Sequence, residues 1–451
     1  MRKFFVSVGL IAAGTASLQA AYAPDWDSTS ASMWSLSGTL RGFYDDNYNT
    51  APAGPSKRGS FGFEVSPAFS LNVPLQQTEF GLRYTYGLYY YQDRKTLGEN
   101  PVDQTHQFDL WVDHVFTERW QVKVQDSFVV GQEPELIDRN TSVTTRIEGN
   151  NISNMGSLTL NTIWTRLFST VLGYQNTFYD YENSGAVVNG FTFPSTPPVF
   201  VATSVNASLA GLLNRIEQSV WLDLQWQVRP ETMVLVGGNF GLVNYTGNEP
   251  VATAFPSANI IYFSDSRNSR SYIGYLGFRH AFLPNLSMNA QGGFQYTVNY
   301  NDPLSLPSLA PYAVMSATYT YAHGGYAQIG FTESQSATDE ITPDAKGRIT
   351  QSQESSTVYA SINHQLTSKL LGSVIGRWQH AVYNGGLYNN QASDYYSLGV
   401  NLSYSFNRHF SVEAGYNFDD VVSQAVGNSV SQISGNGYTR NRIYLGVSAA
   451  Y

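Results

Sequence analysis

The chain has 451 residues, 25 of them basic and 34 acidic, with no cysteine, 14% aromatic residues, 13% charged residues and a mean hydropathy of −0.24. The lack of cysteine excludes disulfides and thiolate metal sites, and the acidic excess argues against nucleic acid as a partner. A polar average in so aromatic a chain is what strands with one apolar and one wet face produce, because the two faces cancel in any window longer than a few residues.

In chain order, Met1-Arg2-Lys3 is followed by the apolar stretch Phe4 to Ala13 and by small residues at Ala20, Ala21 and Ala23. That order is the layout of a cleaved signal peptide over residues 1–23, and a buried first helix has no reason to follow it. Without Arg2 and Lys3 the mature chain carries 23 basic against 34 acidic residues, a net charge of −11. No later stretch approaches the ~20 apolar residues of a membrane helix, so a membrane-spanning form of residues 24–451 must be a closed barrel.

From Trp34 to Tyr451 apolar and polar residues alternate with period two, in about eighteen blocks of roughly ten residues. In one of them Phe61, Phe63, Val65, Pro67, Phe69, Leu71 and Val73 interleave with Gly62, Glu64, Ser66, Ala68, Ser70 and Asn72. Ile216, Val220, Leu222, Leu224, Trp226 and Val228 alternate in the same way, while the blocks near Tyr312 and Tyr326 are ambiguous. Connections alternate in length. Short ones fall at residues 74–77, 117–119, 165–169, 229–231, 283–285, 322–324, 367–369 and 407–408, with long ones between them. The expected fold is an all-β, antiparallel, up-and-down transmembrane barrel of about 18 strands, with short periplasmic turns and long external loops.

The last block puts Ile443, Leu445, Val447, Ala449 and Tyr451 on one face and ends on an aromatic residue. Here the chain resembles Gram-negative outer-membrane β-barrel porins. Together with the stretch Asp126 to Leu136, this ending is similar to the second type of the β-barrel porin family. The resemblance implies a bacterial outer-membrane location, contact with lipid and lipopolysaccharide, and recognition of Tyr451 by the barrel assembly machinery. A homotrimer is an assembly it allows. It brings no catalytic motif and no cofactor.

A wall of this many strands is too wide to be filled by its own side chains and leaves a wet path. The expected function is passive diffusion of small hydrophilic solutes, sugars among them. The alternative is a surface adhesin or receptor that uses the barrel as an anchor for its loops. Parity assigns Arg41, Arg83, Lys123, Arg215, Arg279, Arg377 and Arg442 to the water-facing set, against Glu64, Glu79, Asp109, Asp113, Glu217, Asp223 and Glu413. Equal numbers of each sign predict weak charge selectivity, and cross-strand pairing alone would also account for them. Tyr89, Tyr91, Trp111, Trp221 and Tyr275 share that set, as a slide for sugars or as wall packing.

The candidate constriction is the longest loop, Asp180 to Asn214, through Phe191, Phe193, Phe200 and Val201, whose burial would hold it folded inward. The short turns hold Arg119, Arg166, Arg229, Lys369 and Arg408 against Glu118 and Glu231, a net of +3. The external loops are therefore acidic, with Glu333, Asp339, Glu340, Asp344 and Glu354 assigned to one of them, where divalent ions could bridge to lipopolysaccharide. Asp138, Asn140 and Ser142 begin with calcium-loop spacing, but Val143 stands where that loop needs glycine. His106 and His114 share one strand face and Asp109 and Asp113 the other, so they form no dyad there, and His280, His364 and His380 fall on the apolar parity. Asp126 shares parity with Val122, Val124 and Phe128. A bulge redirecting it inward is the favoured expectation, and a lipid-boundary position the alternative.

Overall fold

The computed structural model describes residues 33–52, 54–131, 151–194, 199–254, 260–322, 324–338, 340–423 and 437–451. The signal segment and the Asp138–Ser142 spacing lie outside these residues. Seven strands open the barrel: β1 (Trp34–Asp45), β2 (Ser60–Pro74), β3 (Thr78–Tyr91), β4 (Val102–Thr117), β5 (Trp120–Gly131), β6 (Asn151–Ile163) and β7 (Phe168–Tyr181). The next connection holds its own hairpin, β8 (Val187–Phe193) and β9 (Val199–Asn206). The wall resumes with β10 (Arg215–Arg229) and β11 (Thr232–Tyr245), and a second loop pair follows, β12 (Pro250–Thr253) and β13 (Ile261–Phe263). The wall is completed by β14 (Ser269–Leu283), β15 (Leu286–Asn299), β16 (Ser308–Ala322), β17 (Gly325–Ser336), β18 (Thr350–Gln365), β19 (Leu370–Gly385), β20 (Ala392–Ser405), β21 (Phe410–Ser423) and β22 (Tyr438–Ala450). Two single-turn helices, α1 (Gln92–Thr96) and α2 (Leu209–Leu213), lie in connections.

Each wall strand pairs antiparallel with its neighbours in chain order, and β1 pairs with β22 from Ser37↔Ala450 to Asp45↔Arg442, which closes an 18-stranded sheet. Closure leaves no strand edge with unpaired backbone groups, the condition for sheet in hydrocarbon. At the seam, Leu36 and Tyr451 exchange backbone hydrogen bonds at 3.1 and 2.9 Å, and the rings of Trp34 and Tyr451 lie 5.7 Å apart.

The period-two pattern sorts the two faces. Leu36, Phe61, Leu276, Phe294, Ile329 and Leu445 are each about half exposed or more, although they are among the most apolar side chains present. They form the outward belt that a lipid-facing surface requires. On the other face, aromatic rings cover cross-strand glycines. A Cβ on Gly81 would meet the Trp111 indole at 1.9 Å, on Gly173 the Trp221 indole at 2.0 Å, on Gly330 the Tyr359 ring at 2.2 Å and on Gly415 the Tyr444 ring at 2.2 Å. These rings lie flat against the wall only because the facing residue has no side chain.

The Asp126 bulge does not occur. β5 runs in unbroken register past Leu110↔Asp126 and Asp126↔Gly156, so the carboxylate stays on the outward face, where the Asn154 side-chain amide donates to it at 3.1 Å. A cross-strand amide supplies the partner that inward rotation would have supplied. The grouping of five carboxylates in one loop is also corrected: Glu333 belongs to β17 and Glu354 to β18, while Glu340 and Asp344 lie in the connection and Asp339 lies outside the described residues.

Candidate functional site

All fourteen charges assigned by parity lie on the face opposite the exposed belt, and register brings many of them together. Arg41 pairs across β1 and β2 with Glu64, and its guanidinium reaches Glu64 at 3.2 Å and Glu413 of β21 at 2.6 Å. The side-chain amide of Asn401 then joins Glu413 to the Tyr444 hydroxyl, at 3.4 and 2.9 Å. Lys123 meets Asp113 at 3.1 Å, and Arg215 meets Glu217 at 2.6 Å while lying over the Tyr179 ring. Asp109 accepts from Ser127 at 2.8 Å, and Asp223 from the Tyr275 hydroxyl at 2.6 Å. Glu79 accepts weakly from Asn72 at 3.4 Å, and Arg377 stands opposite Tyr359 and Ser397. Arg83, opposite Asp109 and Ser70, and Arg279, opposite Met233 and Asn289, reach no carboxylate within ion-pair distance among the described residues.

Sequence reasoning missed the strongest charge cluster, at the external ends of β1, β3 and β22. Buried Asp45 receives both Arg440, at 2.8 Å, and Arg442, at 2.9 Å, and Arg442 also donates to the Tyr91 hydroxyl at 2.9 Å. Arg94, in α1, pairs with Asp103 at 2.7 Å and lies 4.0 Å from the Tyr91 ring centre. Tyr48, Tyr89, Tyr91, Phe43 and Tyr444 form one buried aromatic cluster around these cations. Parity would have found Asp45 and Arg440, which share phase with Arg41 and Arg442. Arg94 follows the end of β3 and carries no such signal.

Over the mouth, three connections fold together. Tyr179 and Tyr181 of β7, Leu212 and Leu213 of α2, Val251, Ala252, Ala254 and Tyr262 of the β11–β14 connection, and Ile341 and Ile349 of the β17–β18 connection share one buried apolar core. β17 stands six strands from β7 in the wall, so its loop reaches well beyond its own strands to join that core. The cause is local. The β16–β17 ladder stops at Ala313↔Glu333, two residues short of Pro311, which has no N–H to continue it. The freed end of β17 is caught by Gln295 of β15, whose amide donates to the Gln335 carbonyl at 2.9 Å and accepts from its N–H at 3.2 Å. One side chain thus takes the place of a strand partner.

Polar groups lock the three loops. Arg267, 1% exposed, donates to the Thr338 carbonyl at 2.7 Å and to the Leu212 carbonyl, and lies over the Tyr245 ring. The Tyr262 hydroxyl donates to the Gly347 carbonyl at 2.6 Å, and burial pushes its pKa up to about 12. Glu249 accepts from the N–H groups of Gly185 and Ala186 at 2.9 and 3.1 Å, and from the Ser208 hydroxyl. Burial opposes its ionisation, but these donors outweigh burial and hold the carboxyl below its ordinary range. Asp344 is likewise lowered, against burial, by the Arg348 side chain and the N–H groups of Arg348 and Lys346. The side chains of Phe191, Phe193 and Phe200 lie outside the described part of the β8–β9 hairpin. Val201 is half-buried, and its neighbour Ala202, midway along the hairpin, is buried, with the Thr253 hydroxyl donating to its carbonyl at 3.4 Å.

Among the described residues no three His, Cys, Asp or Glu side chains converge as a metal site. His380 pairs with Asp394 at 2.9 Å on the outward face. His106 sits between Tyr84 and Tyr86.

Residues 263–451, which hold the last nine wall strands, match the family model described as "Putative beta-barrel porin 2". A search of curated proteins returned no significant match. Among solved structures, the chain is similar to OccAB4 of Acinetobacter baumannii, at 11% identity over 93% of this chain and 99% of that one, with a TM-score of 0.40. It is similar to the outer membrane protein OpdK of Pseudomonas aeruginosa, at 11% identity over 93% and 98% of the two chains, TM-score 0.41. A ferric enterobactin receptor of the same organism matches at 9% identity over 92% and 81%, TM-score 0.43.

Proposed function

From a porin-like barrel of the bacterial outer membrane, with a porin family model matching its carboxy-terminal wall, we propose that the chain passes small hydrophilic solutes by diffusion through the barrel interior. The observation that carries this reading is the closed 18-stranded wall with apolar residues outside and charged residues inside. The fourteen parity-assigned charges line the path. Because Arg41, Lys123, Arg215 and Arg442 each already hold a carboxylate, little net field remains along the wall, and charge selectivity is weak. The constriction lies in the three-loop core, to which the Asp180–Asn214 connection contributes Leu212 and Leu213 and the β17–β18 connection Ile341 and Ile349. The half-buried indoles of Trp111 and Trp221, flat on the wall, suit passing sugars. The exposed ring of Tyr451 suits recognition during assembly. No chemical step is assigned to the protein.

A second reading is favoured by the extent of loop packing: a barrel whose loops share a core could serve chiefly as the anchor of a surface receptor. Planar-bilayer recording of the purified chain separates the two. Discrete ion-permeable steps, with liposome swelling that falls as sugars grow, support diffusion. A folded but silent barrel supports the receptor.

A further inference from the structure

The short-turn end of the molecule concentrates exposed positive charge, whereas many cations elsewhere are paired. In the wall and the external loops Arg41, Arg94, Lys123, Arg215, Arg348 and Arg442 each reach a carboxylate. Arg119, Arg166, Arg229, Lys369 and Arg408, one in each of five short turns, are exposed and reach none among the described residues. They outnumber the turn carboxylates Glu118 and Glu231 by three.

The same rim carries a repeated device on its lipid-facing side. Thr78 opens β3 and its hydroxyl bonds His114 Nδ1 of β4 at 2.7 Å, while the His114 ring meets Phe116 edge-on at 4.3 Å and 78°. Thr232 opens β11 and bonds His280 Nδ1 of β14 at 2.8 Å, with His280 against Phe282 at 4.4 Å and 80°. The backbone repeats as well: Val115 N–H donates to the Gln77 carbonyl at 2.8 Å and Ala281 N–H to the Glu231 carbonyl at 2.9 Å. At a third position the Tyr321 hydroxyl donates to the Asn363 carbonyl at 3.2 Å and accepts from His364 Nδ1 at 2.9 Å, so His364 holds its ring by the opposite polarity. Where the hydroxyl donates to Nδ1, the imidazole proton resides on Nε2 and is available as a donor. Nε2 of His114 and His280 bonds no described residue. His409 differs. Its Nδ1 donates to the Ala450 carbonyl at 2.9 Å, so its Nε2 accepts from Arg408 at 3.0 Å and holds that guanidinium at the rim.

We propose that this rim binds the phosphate groups of anionic glycerophospholipids in the periplasmic leaflet. Short turns of an outer-membrane barrel face the periplasm. Exposed guanidinium and ammonium groups at that level meet lipid phosphates, and the clasped imidazoles add hydrogen-bond donors at the edge of the apolar belt, where a headgroup sits above its acyl chains. Cell-wall polymer would also meet the turn cations, but it would have no use for donors on the lipid-facing parity. The inference does not depend on solute passage, since a closed barrel would carry the same rim.

The test is native mass spectrometry of the full chain, purified in neutral detergent and loaded with equal phosphatidylglycerol and phosphatidylcholine. The expected result is retention of phosphatidylglycerol in an excess on the order of tenfold. That excess should fall to unity in R119Q/R166Q/R229Q/K369Q/R408Q, fall several-fold in H114F/H280F, and shrink with added salt in the wild type. Equal retention of both lipids by the wild type overturns the proposal, as does a preference insensitive to salt or one kept by the five-site variant. If sacculi sediment the wild type but not that variant, and the lipid ratio is unity, the partner is the cell wall and the lipid assignment falls.

Discussion

Replacing Arg267 by alanine should free the loops over the mouth while leaving the wall intact. The guanidinium bridges two connections that are far apart in sequence, through the carbonyls of Leu212 and Thr338, and stacks on Tyr245 at 4.1 Å. Two charge-assisted hydrogen bonds at about 1.5 kcal/mol each, with about 1 kcal/mol for the ring contact, amount to roughly 4 kcal/mol of loop docking. Water can solvate the released carbonyls once the loops lift, so about 3 kcal/mol is the more realistic loss, a rise of roughly a hundredfold in the undocked population. None of these contacts belongs to the wall ladders, so heat-resistant migration of the folded barrel should be unchanged. Limited proteolysis in residues 246–268 and 337–349 should accelerate by about that factor, and single-channel recordings should become larger or noisier. Arg267→Lys keeps the charge but cannot fork to two carbonyls, and should fall between the two. Wild-type cleavage rates and conductance in a folded Arg267→Ala protein would refute the idea that this side chain holds the loops together.

Acidification should loosen the same assembly at Glu249. Its carboxyl titrates below the ordinary value of 4.5, so its contribution is fully present above pH 4.5 and is lost as pH falls through the lower native value. Protease access to residues 182–214 should therefore rise on acidification below pH 4.5 in the wild type, and Glu249→Gln should lose that component, an outcome that fails if both proteins respond alike. Glu413→Gln removes one of the two carboxylates balancing Arg41, so the anion-to-cation permeability ratio should rise roughly twofold or more in reversal-potential measurements. An unchanged ratio would place Arg41 away from the ion path. Asp126 and Asn154 together put a polar pair on the lipid-facing side, so D126V/N154V should stabilise the barrel by about 1–2 kcal/mol in vesicle unfolding, and D126V alone by less, because Asn154 then keeps only the long contact to the Ser127 carbonyl at 3.4 Å. Destabilisation of the double variant would mean that the pair is needed for folding.

Alternation alone made the wall legible. A strand's side chains have nowhere to point but to its two faces, so a period of two over blocks such as Phe61 to Val73 already separates the exposed belt from the charged interior, and turn lengths set the strand order. The same rule reached Arg41, Glu64 and Glu413 as one face, and would have reached Asp45 and Arg440 had it been carried to the strand ends. It could not anticipate that Gln295 would catch the backbone of Gln335, that Pro311 would release β17, or that Arg94, in α1 beyond the end of β3, would reach Asp103. Nor could it tell that Asp126 has an outward partner rather than a bulge. Local periodicity is a property of neighbours in the chain, and it therefore determined the barrel. The loop core joins residues as distant as Tyr179 and Ile349, whose meeting depends on where the closed wall places the strand ends, and only the folded cylinder decided it.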